Sequence, residues 1–236
     1  PIEAPNLASE SEEKEAATIA SRAATARATG DNRQAEMLEN EVLSKFPGSL
    51  AAVDILIVRA RAMVNAGDQT GALDLYRRAL FFRPDHPDTD STRTEYAEVL
   101  MSLELFDEAA QLLGALFNSS ESLDGKIDVG LRYANAMREV GRGADAIYVV
   151  LDLLALSEIT ESQRSKLTSI GTNLIHSELN LEKLSQIWND VQDIPKWGPF
   201  RDLIGFELIA RNYHAQKFDL ALTIIATETA RPNVTY

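Results

Sequence analysis

Six small or apolar residues, Ala35, Ala72, Ala109, Ala146, Leu184 and Ala221, recur along the chain at spacings of 37, 37, 37, 38 and 37 residues. Each opens an amphipathic segment after a turn. Five residues before the first four stand Gly30, Gly67, Glu104 and Gly141, at a helix-ending position where glycine supplies left-handed backbone without a Cβ clash. Pro47 and Pro84 are one period apart, as are Pro195 and Pro232, and a proline past a helix end stops that helix before the next unit begins. A fixed period of this length is the mark of a stacked repeat architecture, in which one unit cannot bury its own apolar face and must lean on its neighbours.

Within a period the apolar spacing is helical: Leu56, Ala60, Met63 and Val64, then Ala72, Leu73, Tyr76, Ala79 and Leu80. The same pattern returns through Ala97, Leu100 and Met101 into Ala109, Leu112, Leu113 and Leu116, and through Ala134 and Met137 into Ala146, Ile147, Val150 and Leu153. Each unit therefore reads as a helical hairpin, with small residues where the two helices cross and larger ones on either side.

The unit Leu56, Ala60, Met63, Gly67, Ala72, Tyr76, Ala79, Pro84 resembles the tetratricopeptide repeat family's succession of large, small, large apolar, Gly, Ala, aromatic, Ala and Pro. Weaker versions run through Leu100, Phe106, Ala109 and Leu113, through Ala134, Met137, Gly141 and Ala146, and through Ala23, Gly30, Ala35 and Pro47. The last two units, around Ile175, Leu184 and Trp188 and around Phe218, Ala221 and Ile225, keep the period and apolarity but little else. The period exceeds the family's usual 34 residues, so the links between units carry about three extra. The resemblance implies an all-α, right-handed superhelical solenoid of about six antiparallel helix pairs. Residues 16–236 are expected to form this repeat domain, and residues 1–15, with five Glu, two Pro and little apolar side chain, an acidic flexible linker.

Composition excludes several functions. A formal charge of −13 opposes binding to a phosphate backbone, so no nucleic-acid partner is expected. No stretch approaches the roughly 20 apolar residues of a membrane helix, so no direct membrane insertion is expected. Absence of cysteine removes disulfides, thiolate metal sites and a Cys nucleophile, and fits a periplasmic or a cytoplasmic location equally. The chain begins at Pro1 with no basic-then-apolar leader in view.

Motifs of catalysis are sparse. Gly141, Gly143 and Ala146 spell the dinucleotide-binding pattern, but a helix and not a strand precedes them, so they read as a helix-to-helix turn. Asp85, His86, Asp88 and Asp90 cluster ligand atoms, yet prolines interrupt them and no EF-hand spacing follows, so they read as an inter-repeat loop and no metal or other cofactor is expected. His86, His176 and His214 fall in different units without a partner motif. Glu95 and Glu98 share a helix face and read as solvated. Asn118-Ser119-Ser120 and Asn233-Val234-Thr235 match a glycosylation acceptor that has meaning only in a secretory setting. The chain is expected not to be an enzyme.

A partner-binding face is the remaining possibility. In stacked hairpins the first helices line the concave side, which places Asp54, Arg61 and Asn65, Glu95 and Glu98, Arg132, Asn135 and Glu139, and Asn173 and Ser177 along a groove. Arg61, Asn65, Arg132, Asn135 and Asn173 are the expected partner-binding residues, and Trp197, between two prolines, is a further expected contact. Asn135 and Asn173 hold equivalent places, and an amide both donates to and accepts from a peptide backbone. The carboxylate clamp of chaperone-binding tetratricopeptide proteins is missing: Ile57, Arg61, Ser91 and Glu95 occupy its places. The expected function is thus a protein-interaction scaffold or adaptor holding a peptide or protein in the concave groove; the alternative is a structural or oligomerising subunit, or the helical repeat region of a larger secretion, envelope or enzyme assembly. For the latter, Leu220 and Ile224 are expected to form an uncovered stripe on the last helix, opposite Phe218, Ala221, Leu222 and Ile225, through which a second copy or a larger complex attaches.

Overall fold

The structure, a computed structural model, describes residues 7–192 and 198–230. Among the described residues there is no strand, and the helices follow as α1 (Glu10–Ala28), α2 (Asn32–Lys45), α3 (Leu50–Asn65), α4 (Gln69–Phe82), α5 (Thr89–Ser102), α6 (Phe106–Ser119), α7 (Leu123–Glu139), α8 (Gly143–Leu154), α9 (Glu161–Glu178), α10 (Leu181–Gln192), α11 (Gly198–His214) and α12 (Phe218–Thr229). Consecutive pairs are the six expected hairpins. The chain divides into two compact units, Pro1–Leu112 and Leu113–Tyr236, with the boundary inside α6, where the sequence suggested one domain.

All six repeat markers are buried, Ala35, Ala72, Ala109 and Ala146 completely. Small side chains there let the two helices of a hairpin close up, and the larger Leu56, Tyr76, Leu100, Leu113, Ile147, Val150 and Leu153 fill the space around them. In the first unit α1 packs on α2 and α3, α3 on α4, and α4 on α5. In the second α8 bridges α7 and α9, and α11 bridges α10 and α12.

The hairpin turns obey one rule. Gly30, Gly67, Glu104, Gly141 and Gln216 all have positive φ, between 59° and 84°. At each, the left-handed residue donates its N–H three residues back and the next residue donates five back: Gly30 to Arg27 and Asp31 to Ala26, Gly67 to Val64 and Asp68 to Met63, Glu104 to Met101 and Leu105 to Leu100, Gly141 to Arg138 and Arg142 to Met137, Gln216 to Tyr213 and Lys217 to Asn212. These paired bonds satisfy carbonyls that a helix end leaves orphaned.

The fifth hairpin is the exception. Only residues 179–180 separate α9 from α10, and Leu179 is extended. Its orphaned carbonyls are capped from the next hairpin: the Arg211 guanidinium donates to Ile175 O at 2.8 Å, His176 O at 3.3 Å and Leu179 O. A cation at a helix C-terminus is also favoured by the helix dipole.

The expected linker at residues 1–15 is corrected in part. Helix α1 begins at Glu10, and Ser9 and Glu12 form a capping box in which Ser9 Oγ accepts the Glu12 N–H while Glu12 accepts the Ser9 N–H at 2.7 Å. Acidic residues in a first turn stabilise the positive end of a helix, so the Glu-rich run belongs to structure. Glu13 goes further: its carboxylate accepts the Leu50 N–H at 3.0 Å and Arg83 Nη1 at 2.8 Å, holding the loops that start the second and third hairpins.

Two of the left-handed residues carry side chains that strain this conformation. Glu104→Gly and Gln216→Gly should each raise stability by about 0.5–1 kcal/mol, the relief of a left-handed non-glycine residue less the entropy glycine loses on folding. Thermal unfolding of each variant checks it; a lower melting temperature would refute the role given to the turn.

Candidate functional site

The expected groove residues of the first unit are brought together at a cavity of about 500 Å³ lined by Arg61, Val64, Asn65, Gln69, Tyr76, Glu95, Glu98, Val99 and Ser102. Its centre is Glu95. Arg61 grips this carboxylate with two bonds, Nε to Oε2 at 2.8 Å and Nη2 to Oε1 at 2.7 Å. The Tyr76 hydroxyl donates to Oε2 at 2.9 Å and Ser91 Oγ to Oε1 at 3.3 Å. Hydrogen bonding from Arg61 holds the Glu95 carboxyl below the usual carboxylate range, and burial, with the carboxylate beside it, pushes the Tyr76 phenol up.

This changes the expected roles. Glu95 is no loosely solvated acid, and Arg61 spends its planar donor face on an internal partner on the next first helix. Sequence spacing placed both on first helices but gave no sign of Tyr76 reaching them from the second helix α4. Asn65 remains at the cavity rim.

In the second unit α7 and α9 place Asn135 and Asn173 on one cavity of about 170 Å³, with Leu131, Ala134, Ile170 and Leu174 as its apolar floor and Arg138 and Ser177 beside them. Both amides are exposed, and neither side chain is hydrogen-bonded among the described residues. Arg132 is not part of this cavity; its Nε donates to Asp128 Oδ2 at 2.9 Å along its own helix. Arg138 takes the place expected for Arg132, and the sequence contained the signal: Leu131, Ala134 and Arg138 follow helical spacing, one position round from the stripe first drawn. Trp197 lies outside the described residues.

The expected stripe of Leu220 and Ile224 is corrected. Ile224 is only 7% exposed, while Leu220 is 54% exposed. The bare face of α12 instead carries Phe218, Leu222 at 62% and Ile225 at 40%, beside Tyr213 of α11, whose ring lies 5.5 Å from that of Phe218. Helical spacing alone leaves the phase of a helix open when both of its faces are apolar; packing against α11 chose Ala221 and Ile224 as the inner face.

The loop at His86 is more ordered than its reading as a solvated link. His86 is buried, its Nε2 lies 3.2 Å from Asp54 Oδ1, and its Nδ1 accepts the Asp88 N–H at 3.1 Å. Ligand atoms of Asp54, His86 and Asp88 lie within 4.8 Å of one another. A backbone donor on Nδ1 leaves the ring proton on Nε2, where it serves Asp54, whereas a metal-bound imidazole donates from its other nitrogen. The residues therefore fit a histidine held at both ring nitrogens better than an ion. Gly141 lies in the turn between α7 and α8, as its preceding helix implied.

No protein-family model matches the chain, and no curated protein matches it in sequence. Among solved structures it is similar to PilF of Pseudomonas aeruginosa, 14% identical, with 91% of this chain and 99% of that chain covered at a TM-score of 0.45. It is also similar to the TPR domain of P58(IPK), 12% identical, with 92% of this chain and 67% of that chain covered at a TM-score of 0.36. The all-helical repeat architecture stands on the helices and turns themselves. No helix among the described residues is long and apolar enough to cross a membrane.

Glu95 makes the first-unit cluster sensitive to acid. Its folded pKa lies below the unfolded value, so its contribution is present above the ordinary carboxylate value, about 4.3, and is lost as pH falls through the lower folded value. Glu95→Gln should cost about 1 kcal/mol at neutral pH, a modest figure because Arg61 is partly exposed. The gap in melting temperature between parent and variant should close progressively as pH falls below the ordinary carboxylate value; a gap independent of pH would show that the charge of Glu95 is immaterial.

Proposed function

We propose that this chain is a non-enzymatic protein-interaction scaffold whose α7–α9 cavity holds an extended peptide. The observation that carries the reading is the pair of free amides, Asn135 and Asn173, one on each of two successive first helices, above an apolar floor. A peptide backbone offers alternating donors and acceptors, and an amide side chain meets either. Leu131, Ile170 and Leu174 would cover an apolar side chain of the bound segment while the amides fix its direction. Fixing the backbone in this way selects an extended conformation more than a particular sequence. Arg61 contributes to the scaffold by holding Glu95, with Asn65 on the lining of the same cavity in the first unit. The net charge of −13 disfavours a nucleic-acid ligand.

A second reading, a structural or oligomerising subunit, is favoured by the bare face of α12. Positions equivalent to Leu222 and Ile225 in the second, third and fourth hairpins are Leu73 and Tyr76, Ala110 and Leu113, and Ile147 and Val150, all buried. On this reading a second copy or a larger complex covers Leu222 and Ile225, and the mass in solution falls in a Leu222→Glu, Ile225→Glu variant.

The scaffold reading is tested by comparative capture. Proteins retained by the parent chain should be lost by the Asn135→Ala, Asn173→Ala variant, and the affinity of a captured partner should fall at least tenfold, the equivalent of about 1.4 kcal/mol, with no drop in melting temperature. Unchanged affinity would move the binding site away from the α7–α9 cavity.

A further inference from the structure

A groove opens wherever the second helix of one hairpin meets the next hairpin, and one repeat position of the incoming first helix faces it. In hairpins two to six that position is Arg59, Tyr96, Tyr133, Gly171 and Leu208. Arg59 reaches the Glu39 carboxylate at 3.0 and 2.8 Å and Asn40 at 2.9 Å. Tyr96 lies 6.4 Å from the Tyr76 ring and its hydroxyl accepts from Arg77 at 2.8 Å. Tyr133 lies over Gly114, where a Cβ would come within 3.0 Å of its ring, and 6.2 Å from Phe117. At Gly171 the space is taken by the Phe200 ring, 2.7 Å from where a Cβ would stand. Three of the five grooves thus hold an aromatic ring, two of them a tyrosine.

The groove between α10 and α12, over α11, differs. Leu208 is too short to occupy it, and a cavity of about 550 Å³ remains, walled by Trp188, Leu208, Leu220 and Ile224 with Lys217 and Glu182 at the mouth. The first groove also opens a cavity, of about 500 Å³, but there Arg27 and Arg59 both pair with Glu39. In the last groove the polar group is unpaired. Asn212 occupies a repeat position that is Met63, Leu100, Met137 and Ile175 in four other hairpins, and it is only 2% exposed. Its Nδ2 donates to Leu208 O at 2.9 Å, and its Oδ1 has no hydrogen-bond partner among the described residues. A buried, unpaired carbonyl at an otherwise apolar position is unfavourable for the fold alone, and it lines a cavity of ligand size.

We propose that this groove binds a tyrosine side chain of a partner polypeptide, its ring against Trp188, Leu208 and Ile224 and its hydroxyl donating to Asn212 Oδ1. The chain's own Tyr96 and Tyr133 show which side chain such a groove accommodates. Trp188 is fixed for the purpose: the Arg201 guanidinium lies over its ring at 5.9 Å, and the indole nitrogen sits where only a glycine, Gly205, leaves room. Lys217 and Glu182 at the mouth offer the donor and acceptor that the flanking peptide backbone needs. This site is separate from the amide-lined cavity between α7 and α9.

The test follows Trp188 emission in the full chain carrying Trp197→Phe, titrated with p-cresol, toluene and N-acetyltyrosinamide. Saturable binding of p-cresol is expected, with toluene at least tenfold weaker despite its greater apolarity, and N-acetyltyrosinamide at least as tight as p-cresol. Leu208→Tyr should fill the groove internally and abolish binding with no loss of melting temperature. Asn212→Leu should erase the preference for p-cresol over toluene, and it serves as the second variant if Leu208→Tyr fails to fold. Equal binding of p-cresol and toluene would overturn the proposal, since ordered water would then be what Asn212 serves. So would binding of p-cresol without N-acetyltyrosinamide, binding that survives a folded Leu208→Tyr, or no saturable response at all.

Discussion

The left-handed turn that closes each hairpin is the constraint on which the other contacts rest. Because the reversal takes place at one residue, the first helix re-enters as the second at a fixed angle, and the buried residue five places later lands at the crossing. With alanine there α3 and α4 can approach closely, with Leu56 and Tyr76 buried on either side of the small residue. The fifth hairpin shows what the turn contributes by lacking it. Leu179 is extended, and the carbonyls that a left-handed residue would have served are taken up by Arg211, a side chain of the following hairpin. A local backbone device is replaced there by a contact between repeats.

Contacts between repeats elsewhere follow the same period. Glu13 accepts from Leu50, one period away, and from Arg83, near two periods away; Arg61 holds Glu95 on the next first helix. The Glu13 bonds tie the start of the first hairpin to the starts of the next two, and the Arg61 bond ties the end of α3 to the middle of α5. Charged groups at these places are therefore consumed in building the repeat, whereas the side-chain amides of Asn135 and Asn173 make no hydrogen bond among the described residues.

The period, the three glycine turns, Glu104 as their stand-in and the buried markers were legible because each depends on local backbone geometry or on one helix face. Gln216, which forms the same turn, sits at the same interval before Ala221, but glutamine gives no sign of left-handed backbone. The acidic start of α1 was misread because Glu suits both a solvated linker and a first helical turn, and only the Ser9–Glu12 capping box separates the two. The Tyr76 and Arg61 bonds to Glu95 were illegible for another reason: they join side chains on three helices, and spacing within one helix carries no information about which long side chain reaches which. Arg132 and Arg138, six residues apart on α7, illustrate the limit, since the cavity took one and Asp128 took the other.

The last helix is where local pattern had least to say, because α12 is apolar on two faces and its phase is set by α11. Inside the array an apolar residue at the place of Ile225 is covered by the hairpin that follows, and one at the place of Ile224 packs inward. Both inheritances are present in α12, so the repeat pattern predicts burial for both, and only Ile224 receives it. The same logic separates Asn212 from its neighbours. A repeat that tolerates Met63, Leu100, Met137 and Ile175 at one position selects for apolar volume there, and an amide that satisfies only its Nδ2 within the helix meets the packing demand while failing the hydrogen-bonding one. In this sixth hairpin the apolar rule is broken on the inside, at Asn212, and kept on the outside, at Ile225.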